Sequence, residues 1–95
     1  MPKPKKRKPD KVHANRTWCL ETSGNEQMLF ADGFDDCILG VTGGIEPVAV
    51  YDKDLMIQEL VSQGMDDIEA IEYLEFNTWG AYVGEQTPIY IYVRS

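Results

Sequence analysis

Aliphatic residues alternate with tyrosine near the end of the chain, from Ile89 to Val93. A period of two places the three aliphatic side chains on one face of a β-strand and places Tyr90 and Tyr92 on the other. In a two-layer domain one face of a sheet packs against helices, and we expect the aliphatic face to do so. The two tyrosines are then at least partly accessible to solvent.

The segment from Lys53 to Gly64 has the periodicity of an amphipathic helix. Its apolar residues fall on one arc at 100° per residue, namely Met56, Ile57, Leu60 and Val61. Asp52 is a residue type preferred at the N-cap, and Gly64 suits the left-handed backbone that ends many helices. The sequence therefore predicts a helix between these two residues.

A second helix is predicted directly afterwards. Asp66 and Glu69 have the spacing of a capping box, and the buried arc consists of Ala70, Ile71 and Leu74. Glu69 and Glu72 fall on the opposite face, toward water. An ideal helix places Phe76 between these two glutamates. We therefore expect that the helix has ended or is distorted by Phe76, or that the ring is displayed outward.

Two extended pairs are predicted before the helices. Turn-forming residues 23–25 separate Trp18 and Leu20 from the apolar residues 28–30, which predicts a β-hairpin. Residues 37–41 and 48–51, on either side of Gly43 and Gly44, predict a second pair. Together these elements predict a two-layer α+β fold, with two consecutive helices packed on a small antiparallel or mixed β-sheet. The terminal strand returns to that sheet.

Charge divides the chain at about residue 16. Residues 1–16 contain seven lysines and arginines against one aspartate, whereas residues 17–95 contain only Lys53 and Arg94 against fifteen carboxylates. The net charge of −7 thus combines a segment of +6 with one of −13. The first segment is rich in lysine and proline and poor in apolar residues. We expect a disordered basic tail over 1–16 and a single acidic α+β domain over 17–95.

Several classes of protein are disfavoured by the sequence. No apolar run approaches the about 18 residues that span a bilayer, and no signal-peptide apolar segment follows the basic N-terminus. We therefore expect a cytoplasmic protein without a membrane partner. Cys19 and Cys37 lack the spacing of a zinc site or a disulfide framework, which predicts reduced, buried thiols. The only histidine, His13, lies in the predicted tail, so we expect no catalytic residues and no cofactor.

Four blocks of the sequence resemble a family of small uncharacterised proteins from tailed bacteriophages and prophages. The blocks are DGFDDCILGV at 32–41, AVYD at 49–52, EAIEYLEFN at 69–77 and GAYVGEQTP at 80–88. The resemblance implies action inside a bacterial host cell, where small accessory proteins bind host or phage machinery. It implies no particular activity, and the basic tail lies outside it.

Charge and exposed aromatic rings together predict a non-enzymatic accessory protein that binds a host or phage macromolecule through an acidic, partly aromatic surface. The candidate contact residues are Glu69, Glu72, Phe76, Tyr82, Tyr90 and Tyr92. Carboxylates spaced like phosphates could also mimic nucleic acid, although solvated helix faces explain the same charge. A terminal strand at a sheet edge would in addition allow a homodimer.

Two alternative functions stay open. The tail could bind nucleic-acid phosphates without reading sequence, through Lys3, Lys5, Lys6, Arg7, Lys8 and Lys11. A metal-dependent hydrolase would instead need Asp32, Asp35 and Asp36 to converge on Mg²⁺ or Ca²⁺. Their spacing differs from that of a calcium loop, and ordinary turns explain such clusters.

The GAYVGEQTP block is the most distinctive predicted loop. Two glycines four residues apart, Gly80 and Gly84, allow unusual backbone angles or the close approach of another chain segment. Tyr82 lies between them and could present its ring. The loop connects the second helix to the last strand, and binding is compatible with that connecting role.

Overall fold

The computed structural model describes residues 13–94 and contains a mixed three-stranded sheet. Its elements are α1 (Ala14–Ser23), a 3₁₀ turn (Asp35–Cys37), β1 (Ile38–Val41), β2 (Ala49–Asp52), α2 (Lys53–Ser62), α3 (Asp67–Leu74), a π-helical turn (Glu75–Trp79) and β3 (Ile89–Ile91). In the sheet order β1-β2-β3, β1 runs antiparallel to β2 and β3 runs parallel to it. The predicted α+β fold, with two consecutive helices and a returning terminal strand, is confirmed. Within the described part of the chain, no helix is long and apolar enough to cross a membrane.

The hairpin predicted around residues 23–25 is wrong, because residues 14–23 form α1. Gly24 adopts a left-handed backbone with φ of 69°, and its N–H donates to the Leu20 carbonyl at 2.9 Å. A glycine in this conformation ends a helix as readily as it turns a hairpin. Of the tail predicted over 1–16, Ala14 to Arg16 form the first turn of α1, while residues 1–12 lie outside the described residues.

Both predicted helices after β2 are confirmed, including their caps. The Asp52 carboxylate accepts hydrogen bonds from the backbone N–H groups of Asp54 and Leu55 at 2.9 and 3.2 Å. Asp66 and Glu69 form the reciprocal capping box, with bonds of 2.8 and 3.1 Å. These contacts satisfy N–H groups that have no partner within the helix itself.

The core lies on one face of the sheet. Cys19 of α1, Ala49 and Tyr51 of β2, Met56 of α2 and Leu74 of α3 are fully buried there. Each element therefore contributes its buried face to a single cluster, and burial of this apolar area is the main stabilising term.

The predicted orientation of the terminal strand is wrong. Parallel pairing places Tyr90 beside Tyr51, with ring centroids 5.5 Å apart, so Tyr90 packs against the core. The neighbouring residues Ile89 and Ile91 consequently point to the opposite face and stay about two-fifths exposed. The alternation itself is as predicted, but the pairing register decides which face is buried.

Candidate functional site

A cleft of about 350 Å³ lies beside the core, in the part of the structure that covers residues 13–94. Its lining is mostly apolar and comes from three segments: residues 29–34, the π-helical turn with the loop after it, and the start of β3. Phe34 and Pro88 of the lining are buried, and Tyr90 is half-buried. The candidate site is therefore built where the π-helical turn and the GAYVGEQTP loop meet the segment that follows α1.

Residues 29–34 form the first wall of the cleft and are held from two sides. The backbone N–H of Ala31 donates to the Tyr51 hydroxyl at 2.8 Å, which ties this irregular segment to the central strand. Burial raises the pKa of Tyr51, so its hydroxyl stays protonated. On the solvent side, the Arg16 guanidinium lies 5.0 Å from the centroid of the Phe30 ring.

The same guanidinium binds carboxylates of the 32–36 segment. Arg16 Nε donates to Asp35 Oδ1 at 2.7 Å and Arg16 Nη2 donates to Asp32 Oδ1 at 3.1 Å. Burial lowers the pKa of Arg16, but the bonds and charges of Asp35 and Asp32 outweigh that effect and raise it. Nearby, His13 Nε2 lies 3.1 Å from Asp36 Oδ1.

The three carboxylates of the metal alternative, Asp32, Asp35 and Asp36, thus each have a basic partner in α1 or at its N-cap. Over residues 13–94, no group of three or more His, Cys, Asp or Glu side chains is arranged to hold a metal ion. His13, predicted to lie in the tail, instead caps α1 by accepting the N–H of Asn15 at its Nδ1.

The π-helical turn forms part of the second wall and explains the irregular position of Phe76. A π-helix inserts an extra residue into the helical path, and here it follows α3 over Glu75–Trp79. Phe76 on this turn is 87% exposed. A side chain added at Gly80 would place its Cβ 2.7 Å from the Glu75 carbonyl oxygen. Any residue other than glycine at the end of this turn would therefore require the backbone to shift.

The loop after Gly80 is fixed by its own hydrogen bonds. Thr87 Oγ1 accepts from the Val83 N–H at 2.9 Å and donates to the Gly84 carbonyl at 2.6 Å. Gly84 has φ of 108°, the unusual backbone angle expected of this glycine. At its far end, Gln86 Oε1 accepts from Asn25 Nδ2 at 2.6 Å. The loop is therefore tied to the segment after α1 and holds a defined shape.

Two residues with exposed aromatic rings flank the lining of the cleft along the chain. Phe76 directly precedes the lining residue Asn77, and Tyr82, which is 76% exposed, lies between the lining residues Ala81 and Val83. Both were predicted as contact residues. Neither ring belongs to the buried core cluster.

The other predicted contact residues fall in three places. Tyr90 lines the cleft from the core side, and burial raises its pKa. Glu69 and Glu72 are exposed on α3, the helix that leads into the π-helical turn. Tyr92 lies away from the cleft, 6.5 Å from Trp79 in an edge-on arrangement. The basic residues proposed for nucleic-acid binding, at positions 3–11, lie outside the described residues.

The structure contains a cluster of one lysine and two aromatic rings that was not predicted from the sequence. Lys53 Nζ lies 4.3 Å from the Trp79 ring centroid and 4.9 Å from that of Tyr92. The indole N–H of Trp79 also contacts the Met56 sulfur at 3.4 Å. Lys53, Trp79 and Tyr92 are far apart in the sequence, and only the fold brings them together. The one feature of the sequence that could have pointed to this cluster is that Lys53 is one of two lysines or arginines in residues 17–95.

The buried thiols have the chemistry of structural cysteines. Burial, with the nearby charges of Glu59 and Asp36, raises the pKa of Cys37 to about 11. Burial likewise raises the pKa of Cys19. At neutral pH both thiols are therefore protonated and poor nucleophiles, in agreement with their expected structural role.

Comparisons of the chain with protein-family models, with curated proteins and with solved structures gave no match. Function is therefore inferred from the cleft, from the two rings beside it and from the distribution of charge.

Proposed function

We propose that this protein is a non-enzymatic accessory protein that binds a partner protein through the cleft and the acidic surface beside it. The observation that carries the proposal is the pair of exposed rings, Phe76 and Tyr82, flanking an apolar cleft. From the resemblance to phage proteins we also propose a setting for this binding, the cytoplasm of a bacterial host.

Exposed aromatic rings beside a concave apolar surface are typical of protein interfaces. Binding hot spots are enriched in aromatic residues that fill well-packed pockets. The hydrogen bonds of Thr87 hold the loop that carries Tyr82 before any partner arrives. Such preorganisation lowers the conformational entropy lost on binding, because less of the surface has to become ordered.

The charge of α3, the helix that leads into the π-helical turn, favours a basic partner. Residues 66–75 contain five carboxylates and no lysine or arginine. The five are Asp66, Asp67, Glu69, Glu72 and Glu75. In the described range 13–94, the lysines and arginines are Arg16, Lys53 and Arg94, of which the first two are held by carboxylates or rings. A partner segment with lysines or arginines around an apolar anchor matches both features, and charge would steer its approach.

The metal alternative loses its support, because Asp32 and Asp35 are ion-paired with Arg16. Binding of nucleic acid by the basic residues 3–11 stays a prediction. Its test is a filter-binding titration of the full chain and of a chain lacking residues 2–11. Affinity should fall steeply with salt and disappear with the deletion if the tail is responsible.

A site-specific photocrosslink tests the proposed protein interface. A photoreactive phenylalanine analogue replaces Phe76 in one sample and Ile45, which is 99% exposed on the loop between β1 and β2, in the control. After irradiation in host lysate, we expect one dominant protein adduct at position 76 and none at position 45. The adduct should decrease with added salt and in a Glu69→Lys, Glu72→Lys background.

Two results would contradict the proposal. Equal adducts at positions 76 and 45 would mean that the contact is nonspecific. An adduct at position 76 that is unaffected by salt and by both lysine substitutions would show that the acidic surface does not take part in binding.

A further inference from the structure

The outer face of the sheet is aliphatic and uncovered. Because Val50 pairs with Ile89 in the register, these two side chains share the face opposite the core, together with Ile91. Leu39 lies at the irregularity of β1, where the register shifts between Ile38 and Gly40. Leu39, Ile89 and Ile91 are 45, 43 and 40% exposed and Val50 is half-buried, so this face stays partly open to solvent in the described part of the chain. We call Leu39, Val50, Ile89 and Ile91 the outer sheet face.

The outer sheet face carries almost no charge. Among the residues of the three strands the one carboxylate is that of Asp52, which pairs with Ile91 and so lies on this face; it accepts hydrogen bonds from the N–H groups that begin α2. The described residues contain fifteen carboxylates in all, and the rest lie in helices, turns and loops. This face is thus an apolar area on an otherwise acidic molecule.

We propose that the outer sheet face is a homodimer interface, in which two copies of this chain pack sheet against sheet. Copies of an acidic protein repel each other wherever carboxylates face carboxylates, and this face avoids that repulsion. A basic partner would find little electrostatic attraction at this face, since the carboxylates that would attract it lie on α3. Sheets packed face to face interdigitate aliphatic side chains of the kind present here.

The proposed contact uses the face of the sheet and not its edge. β3 is an edge strand of three residues, so pairing it with a second copy would add few backbone hydrogen bonds. The aliphatic side chains instead come from all three strands: Leu39 on β1, Val50 beside Ile89 at the centre, and Ile91 further along β3. Trp18, half-exposed on α1, lines a groove with Leu39 at the β1 edge of the sheet, next to this face.

Sedimentation velocity over a dilution series of the full chain tests the proposal, at low and at high salt. We expect a monomer–dimer equilibrium that is strengthened by salt, because salt screens the repulsion between copies. Leu39→Lys and Ile91→Thr should each weaken dimerisation at least tenfold. Ile68→Lys, at an exposed position on α3, makes the same change of charge as Leu39→Lys and should leave the dimer intact.

Ile91→Thr keeps the strand and its backbone pairing, since threonine is a good strand former. It therefore carries the test if Leu39→Lys proves misfolded by circular dichroism. A monomer at every concentration and salt would overturn the proposal. A dimer that both variants leave unchanged would also overturn it and would indicate pairing through the edge of β3. A dimer weakened by salt and by Ile68→Lys would place the contact on the acidic side instead. None of these results bears on the crosslink at position 76.

Discussion

The cleft side and the outer sheet face lie on opposite sides of one core and differ in the forces they offer a partner. The cleft is flanked by exposed rings and lies next to the acidic α3, whereas the sheet face is aliphatic and nearly free of charge. Salt should therefore weaken contacts at the first surface and strengthen contacts at the second. The comparison teaches that a strongly acidic domain can still contain a surface at which two copies would bring few carboxylates together.

The largest effect is expected from breaking the core that supports both surfaces. Leu74 of α3 is fully buried, and Leu74→Ala should lower the free energy of unfolding by about 2–5 kcal/mol because it leaves a cavity. Chemical denaturation measures the change. Phe76→Ala, two residues further and exposed, serves as the matched control and should stay within about 0.5 kcal/mol of the parent. Similar losses in the two variants would mean that Phe76 packs inside the molecule.

A smaller effect, confined to the cleft side, is expected at Gly80. The methyl group of Gly80→Ala would meet the Glu75 carbonyl oxygen at 2.7 Å, and relieving this clash should destabilise the fold by about 1–3 kcal/mol. It should also shift the π-helical turn and reduce the adduct at position 76, with no effect on dimerisation. Gly43→Ala is the control, because a Cβ there meets nothing within 4 Å. An unchanged melting temperature and adduct in Gly80→Ala would contradict the described exit from the turn.

Arg16 allows a test of how the first wall of the cleft is held. Arg16→Gln removes the ion pairs with Asp35 and Asp32 and the contact with Phe30, and should cost about 1 kcal/mol. Arg94→Gln removes the same charge from the exposed end of the chain and is the matched control. Thermal denaturation of both variants gives the comparison. Equal stability of the two would show that the Arg16 pairs contribute only net charge.

The smallest effect is expected at Lys53, on the helical side of the sheet. Lys53→Met keeps the length of the side chain but loses its attraction to the Trp79 and Tyr92 rings, at a cost of about 0.5–1 kcal/mol. Lys53→Arg retains a cation and should recover most of the loss. Urea denaturation followed by far-UV circular dichroism measures both variants. A gain in stability for Lys53→Met would show that apolar packing outweighs the cation at this position.

The sequence predicts the elements whose signals are local. The caps at Asp52 and Asp66, the hairpin around Gly43 and Gly44, and the irregular position of Phe76 all follow from residue type and spacing. Gly24 shows the limit of such signals, because one glycine conformation is compatible with the end of a helix and with a turn between strands.

Non-local pairing explains the rest of what the sequence does not predict. The alternation in β3 is correct, but parallel pairing with β2 places Tyr90 against Tyr51 and turns the isoleucines outward. Similarly, two of the contact residues predicted for the site, Phe76 and Tyr82, flank the cleft, but nothing in their spacing identifies Phe30 or Phe34 as its opposite wall. The two walls of the cleft come together only because α1 and the core fix the segment that contains Phe30 and Phe34.

The two tryptophans provide a built-in optical readout of this two-sided molecule. Trp18 lines the groove beside Leu39 at the β1 edge of the sheet, and Trp79 contacts Lys53, Tyr92 and Met56 near the start of α2. Indole emission responds to the polarity around the ring, so replacing either tryptophan by phenylalanine would leave a chain that signals events on one side alone. Self-association and partner capture could then be followed separately in the same solution, without an attached dye.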